Sequence, residues 1–267
     1  MKKLFGWLLA VIIVAAAAFA YYLWRQGPTY QPPLAPPVEA PPPEVVKEPE
    51  IHYPLPEIEE EQTAEPLPPL EKSDPVVLST LSELLDKSTV KQLLQPQEVI
   101  RRIVVTVDNL PRKTVSAQLL PTKPPAGKFQ VTGEGENLVM AEENTERYTP
   151  YVRMAEMIDA KSLTAAYVRL YPLFQDVYRN LGYPNGHFNS RLVAVIDHML
   201  QAPASEGPVA LVQPHIFYKF ADPALEARSA GHKLMLRIGN DNAERIKAKL
   251  REIRSELTSG IVPQQVQ

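Results

Sequence analysis

The chain has 267 residues, of which 45% are hydrophobic, with 28 prolines, no cysteine and a formal net charge of −3. The missing cysteines exclude disulfides, thiolate metal sites and a lipoprotein anchor. The small total charge hides a division into an acidic arm and a mildly basic domain.

The run from Leu4 to Leu23 has no ionisable group other than two tyrosines. At roughly 20 residues it is long enough to cross about 30 Å of hydrocarbon. Trp7 stands near one end and Tyr21, Tyr22 and Trp24 at the other, as interfacial aromatics do. Lys2 and Lys3 precede the run, and after Arg25 no charge follows until Glu39. The positive-inside rule therefore puts the N-terminus in the cytoplasm and the rest beyond the membrane. In a bacterium with two membranes, residues 1–25 anchor the chain in the inner membrane and the remainder is periplasmic. A cleaved signal peptide is the alternative, because Ala18-Phe19-Ala20 fits the small-x-small pattern and cleavage near Ala20 would release the rest into the periplasm.

Residues 26–75 hold 15 of the 28 prolines and 11 carboxylates against two lysines, a net of −9. Residues 76–267 carry 23 Lys and Arg against 20 Asp and Glu, a net of +3. Proline spacing and repulsion among Glu57, Glu59, Glu60 and Glu61 favour an extended form, so residues 26–74 read as a disordered linker. As a flexible coil it spans roughly 40 Å, and as polyproline II about 150 Å. It is a spacer or, alternatively, a docking site for a proline-reading or basic partner.

From there to residue 260 the composition is globular and sufficient for one core. Asp74-Pro75 reads as the cap and first position of a helix to about Lys87, and Ser88 or Thr89 as the cap of a short second helix. Pro96 with Glu98 opens a third, with Val99, Ile103 and Val107 on one face. A long connection from Pro111 to Lys128 leads to two short apolar runs around Gly133-Glu-Gly135-Glu, which predict a β-hairpin.

A short helix follows from Tyr151 to Asp159. Ser162 then caps a longer one whose stripe is Leu163, Tyr167, Leu170, Tyr171, Phe174, Tyr178 and Leu181, with a kink at Pro172 and an end at Gly182. Residues 186–201 repeat the pattern, and residues 209–220 read as an extended, edge-like segment interrupted by Pro214. Asp222-Pro223 starts a helix to about Arg237, and Gly239 stops it. Asp241 and Glu244 form a capping box for a last helix that turns Ile246, Leu250, Ile253 and Leu257 inward. Residues 261–267 read as a disordered tail. The fold class is mainly α: a transmembrane helix, a proline-rich linker, then a multi-helix domain with a small β-hairpin.

Several motifs in this half are familiar in the same order. They include Tyr171-Pro-Leu-Phe-Gln, Leu181-Gly-Tyr-Pro, Phe188-Asn-Ser-Arg-Leu, Val195-Ile-Asp-His-Met, Gly207-Pro-Val-Ala-Leu-Val-Gln-Pro and Leu236-Arg-Ile-Gly-Asn-Asp-Asn-Ala. They resemble the family catalogued as domain of unknown function 3014, over roughly residues 76–258 and most strongly from Tyr167 onward. The resemblance implies a proteobacterial protein with an N-terminal anchor and a proline-rich spacer. It implies no activity and no site residue.

The five histidines include no metal-binding spacing, and adjacent Asp197 and His198 point about 100° apart on a helix, so no metal or cofactor is expected. Ser229 and Lys233 lie four apart and could face each other, but neither a desolvated lysine nor an oxyanion site is visible. Glu142, Glu143 and Glu146 could supply paired carboxylates to a glycan hydrolase, against the simpler reading of a solvated run. Arg245, Lys247, Lys249, Arg251 and Arg254 make the last helix basic, but acids interleave them and aromatics do not, so nucleic acid is not the expected partner. An acidic envelope polymer or the chain's own arm is the alternative.

The candidate contact residues are those at chain breaks: Tyr183, Asn189, Arg191, Gln213, Tyr218 and Asp222. The competing reading makes Asn189, Asp222 and Asp241 helix caps, and Arg191 with Asp197 a structural ion pair. The functional expectation is a membrane-anchored envelope protein whose helical domain is non-enzymatic and binds another envelope protein or the cell wall. An envelope enzyme, such as a peptidoglycan-directed hydrolase, is the alternative. The oligomeric state is not specified.

Overall fold

The computed structural model describes residues 51–55, 66–135, 137–259 and 264–265, all within the unit Lys47–Gln267. The run from Leu4 to Leu23, most of the linker and the tail apart from Gln264–Gln265 lie outside these residues. The described part is mainly helical. Its helices are α1 (Asp74–Leu84), α2 (Lys87–Leu93), α3 (Val99–Asn109), α4 (Glu143–Met157), α5 (Ala160–Asn180), α6 (Phe188–Leu200), α7 (Pro223–Glu226), α8 (Ala230–Arg237) and α9 (Asn240–Thr258).

The helix starts depart from local expectation wherever a stronger acceptor or a tertiary donor is available. The Asp74 carboxylate accepts the amides of Glu98 (2.8 Å) and Val99 (2.9 Å), so it caps α3 across 24 residues instead of α1. Asp86, not Ser88 or Thr89, caps α2. Hydrogen bonds from the Ser88 and Thr89 side chains and the Thr89 amide hold its carboxyl at about 2. Asp159 likewise displaces Ser162 as the cap of α5, taking the Ser162 amide at 2.8 Å. A carboxylate is the better acceptor for helix N–H groups because it also complements the macrodipole.

α4 begins at Glu143, well before Tyr151, so Glu143 and Glu146 lie in a helical first turn. α5 runs unbroken through Pro172. The single helix expected from Asp222 to Arg237 is two helices. The break arises because Ala230 and Gly231 donate their amides to the Arg112 (2.7 Å) and Leu110 (2.8 Å) carbonyls, and Ser229 caps the second helix. The Asp241–Glu244 capping box does not form: Glu244 pairs with Lys247 at 2.8 Å, and α9 has no side-chain cap.

A short strand β1 (Ile51–His52) pairs antiparallel with Gln264–Gln265, and strands β2 (Val131–Thr132) and β3 (Leu138–Met140) form the expected hairpin. It is half of a four-stranded antiparallel sheet with β4 (Ala210–Val212) and β5 (Lys219–Phe220), in the order β2-β3-β4-β5. Of the segment from residue 209 to 220, β4 is therefore an inner strand and β5 an edge, while Pro214 falls in the turn between them and removes no ladder bond. Asn144 of α4 fixes the sheet to the helices by exchanging hydrogen bonds with the Gln130 backbone at 2.9 and 2.6 Å.

The helical core centres on α1, α3, α5 and α6. Ile100, Val104, Phe174, Tyr178 and Phe188 are buried, and Phe174 stacks on Phe188 at 5.7 Å. The α5 stripe gives Leu170, Phe174 and Tyr178 to this layer, with Tyr167 and Tyr171 packed against it, although Leu181 at its end is exposed. Within the stretch expected as linker, Tyr53 packs on Val193, Ile196 and Leu257. Its amide donates to the Ser190 hydroxyl at 2.9 Å, and the Asn189 amide group donates to the Tyr53 and Pro54 carbonyls at 3.1 Å.

Gly239 joins α8 to α9 at φ 82°, ψ 156°, a region essentially confined to glycine. A Cβ there would also lie 2.5 Å from Thr145 Oγ1. Gly239→Ala should therefore destabilise the domain by about 1–3 kcal/mol in chemical denaturation. Gly135→Ala, at φ 60° with nothing within 4 Å of the added Cβ, should cost less.

Candidate functional site

The six candidate residues separate into two groups. Tyr183, Asn189 and Arg191 lie around the start of α6, and Gln213, Tyr218 and Asp222 lie around the β4–β5 turn.

The first group is structural. Asp108, on the last turn of α3, is buried and accepts from Arg191 Nε (3.1 Å), an Arg112 guanidinium nitrogen (2.7 Å) and the Tyr183 hydroxyl (3.3 Å). A second Arg191 nitrogen reaches the Asp108 carbonyl at 2.8 Å. Tyr183 stacks on Tyr178 at 4.5 Å, and burial followed by the Asp108 charge pushes its phenol above 10.0. Arg191 and Asp197 are both in ion pairs, but not with each other: Asp197 pairs with Arg254 of α9. Asn189 caps no helix; it holds Tyr53 and Pro54.

The second group surrounds an apolar tip. Asp222 caps α7 by accepting the Ala224 amide at 2.8 Å. The Gln213 side chain donates to the Ile216 carbonyl at 3.2 Å and closes the turn. The Tyr218 ring lies 5.8 Å from that of Phe129. Beneath it, Leu211 and Phe220 are buried, and the Arg237 guanidinium lies 5.4 Å over the Phe220 ring. Ile216 and Phe217 at the tip are 81% and 79% exposed, with Val212 half-exposed behind them. Single exposed apolar residues are ordinary. Two adjacent large ones on a braced turn form a contact feature, since burying each recovers about 1.5–3 kcal/mol. Neither was singled out in the sequence, where residues 209–220 read as an extended, edge-like segment interrupted by Pro214.

The chemical constellations resolve differently from their sequence readings. The Lys233 ammonium lies 3.4 Å from a Glu226 carboxylate oxygen and makes no hydrogen bond to the Ser229 hydroxyl. Ser229 instead accepts the His232 amide at 3.1 Å and lies 2.8 Å from His198 Nε2. The His198 and His232 rings stack at 4.1 Å. His232 Nε2 carries its proton, because it meets the His198 carbonyl at 2.7 Å and a carbonyl only accepts. Among the described residues no carboxylate bonds His198, so the Ser229–His198 pair has no third group to orient it.

Glu142 and Glu143 line a broad open cleft with Ser205, Glu206 and Asn240. Four of the five basic residues of α9 are taken by this chain's own acids: Arg245 by Glu156, Lys247 by Glu244, Lys249 by Glu252 and Arg254 by Asp197. Among the described residues, no group of three His, Cys, Asp or Glu could hold a metal ion, and no helix is long and apolar enough to cross a membrane.

The family model described as "Protein of unknown function (DUF3014)" matches residues 99–254, from the start of α3 almost to the end of α9. No curated protein and no solved structure matches the chain.

Two outcomes follow from this geometry. Asp108→Ala strands the buried Arg191 charge and should cost about 3–5 kcal/mol in urea denaturation, whereas the paired change Asp108→Leu with Arg191→Met should recover most of the loss. His198 is pushed below its ordinary 6.5 by burial first, then by the stacked His232 and by Arg191. Below 6.5 the unfolded chain binds this proton more readily than the folded one, so the stability is complete above 6.5 and is lost as pH falls. His198→Asn should flatten the slope of stability against pH below that value; an unaltered slope would contradict the assignment.

Proposed function

Because the chain belongs to the DUF3014 family of proteins of unknown function, whose description supplies no activity, we propose its function from its own residues. It is a single-pass envelope protein, anchored in the inner membrane through Leu4–Leu23, and its helical domain is a non-enzymatic interaction module in the periplasm. Its partner is another envelope protein with an apolar groove. The sequence features that support the topology are the charge-free apolar run, the lysines before it and the acidic, proline-dense arm after it.

The single observation that carries the interaction reading is the Ile216–Phe217 tip, held out by a sheet whose inner face is buried. Gln213 and Tyr218 supply a polar rim around an apolar anchor, the arrangement of a small protein-binding hot spot. Asp222 belongs to the scaffold of this tip and Asn189 to that of the arm.

A hydrolase is the second reading, favoured only by the 2.8 Å contact between Ser229 and His198. Ser229→Ala distinguishes the two. It should leave partner capture intact, whereas loss of a measured turnover on envelope polymer would support the enzyme.

The main test places a photo-crosslinking amino acid at position 217 of the full-length protein in cells. A discrete crosslinked protein should form, and it should disappear when Ile216→Ser is added while the domain stays folded. Crosslinking only to lipid, or a yield indifferent to Ile216, would overturn the proposal.

A further inference from the structure

The domain holds the chain that precedes it at two places, and the two attachments differ in kind. Leu67 and Leu70 pack against the layer formed by α1, α3, α5 and α6, next to the start of α1, and so belong to the helical core. Residues 51–55 are held at the first turn of α6 and the end of α9. Of residues 53–55 only Tyr53 is buried, against Val193, Ile196 and Leu257. Its amide donates to the Ser190 hydroxyl at 2.9 Å, and the Asn189 side chain donates to the Tyr53 and Pro54 carbonyls, both at 3.1 Å. Before it, Ile51–His52 pairs with just two residues, Gln264–Gln265.

Asn189 shows what this docking costs. It is 1% exposed, and its side-chain hydrogen bonds go to the arm. Its Oδ1 is buried and, among the described residues, has no hydrogen-bond partner. A carboxamide can donate two bonds and accept two, so the docked arm covers an acceptor that it leaves empty. Water would fill that acceptor once the arm left, which removes the penalty. Release would also return the conformational freedom of residues 51–55. Against these two gains stand one aromatic ring and three hydrogen bonds. The opposing terms are of similar size, which is the condition for a unit that opens by itself while the rest of a domain stays closed.

We propose that residues 51–55 form a releasable strap: Tyr53 leaves and regains its seat between α6 and α9 while the helical domain stays folded. Release moves the first point of attachment from Tyr53 to Leu67. That frees 14 residues (67 minus 53), a gain in reach of at most about 50 Å. Only this gain in reach rests on the anchored topology proposed above; under it, the domain works on a short tether and a long one. The opening and closing of the strap follow from the contacts of residues 51–55 alone.

Hydrogen exchange read by mass spectrometry on the full chain, mixed with lipid nanodiscs, tests this. Pro54 and Pro56 carry no amide hydrogen, so residues 51–56 report Ile51, His52, Tyr53 and Leu55. In the wild type the Tyr53 amide should exchange at least about tenfold more slowly than in a free peptide of the same sequence, and at least about a hundredfold faster than the amides of residues 193–199 in α6. Urea below the unfolding transition should barely change its rate, because releasing a strap exposes little surface. Asn189→Asp replaces the donor by a carboxylate that repels both carbonyls and suits the first turn of α6. It should speed Tyr53 exchange by about tenfold or more and leave the α6 amides as they are. Free-peptide exchange in the wild type would mean that Tyr53 never docks, and exchange in step with α6 would mean that it opens only with the whole domain. Either result overturns the proposal, as does an unchanged Tyr53 rate in Asn189→Asp. Entry of the chain into the nanodiscs is scored separately, so a failure of the anchored topology is not mistaken for a failure of the strap.

Discussion

The buried carboxylate of Asp108 organises the helices around it. An ionised group removed from water must be met by opposite charge and by hydrogen bonds, or the fold loses several kcal/mol. Here the demand is met from three directions: by Arg191 of α6, by Arg112 just beyond α3, and by Tyr183 from the α5–α6 connection. Each donor reaches its place only when α3 and α6 pack in one register. The next carbonyls, Leu110 and Arg112, take the amides of Gly231 and Ala230, which pins the start of α8 to the same point. Five residues from Asp108 to Arg112 thus tie together α3, α6, α8 and the connection bearing Tyr183. Apolar burial supplies the driving force for packing, but it is non-directional. The directional bonds at Asp108 select one arrangement from the several that would bury a similar area.

The same anchoring explains the exposed tip. Leu236 of α8 is buried with Leu211 and Phe220 beneath the sheet, and Arg237 covers the Phe220 ring. Asn144 holds the other end of the sheet at Gln130. Under the proposed function, a turn fixed at both ends would lose little freedom on docking, so most of what Ile216 and Phe217 recover on burial would go into affinity.

The local physics of the sequence was enough to locate the elements, and it failed where a distant group decided the outcome. Periodicity placed the stripe of α5 and the inward face of α9, because burial of one face is written every third or fourth residue, and the glycine turn between two short runs placed the β2–β3 hairpin. Glycines marked the ends of α5 and α8, at φ 108° and 82°, for equally local reasons. The caps were less legible. Asp86 and Asp159 stood two or three residues before the serines and threonine first favoured, and the competition went to the charged acceptor. Asp74 was read as the cap of its own helix, yet its carboxylate serves α3, which no local rule contains. Nothing around Asp108 distinguishes it from a solvated acid at a helix end. Tyr183, Asn189 and Arg191 were conspicuous as residue types, but their roles depend on Asp108 and on Tyr53, each of which is more than 70 residues away in sequence. Ile216 and Phe217 were hidden for the opposite reason: an apolar pair in an extended, edge-like segment has no assigned side until the fold shows which way the turn projects.

Tyr53 changes the argument about reach. Composition assigns residues 26–74 to a spacer, but a single aromatic with a paired backbone is enough to tie such a stretch down, and Tyr53 has both. Under the proposed topology, the distance between membrane and domain is then set by the residues before Tyr53. From residue 26 to 52 there are 27 residues, which span at most about 95 Å when fully extended. Counting to residue 73 would allow about 170 Å. In that proposed topology the clamp formed by Asn189 and Ser190 on the first turn of α6 would be the end stop of the tether. Its position, more than the proline content of the arm, limits which partners the apolar tip could reach.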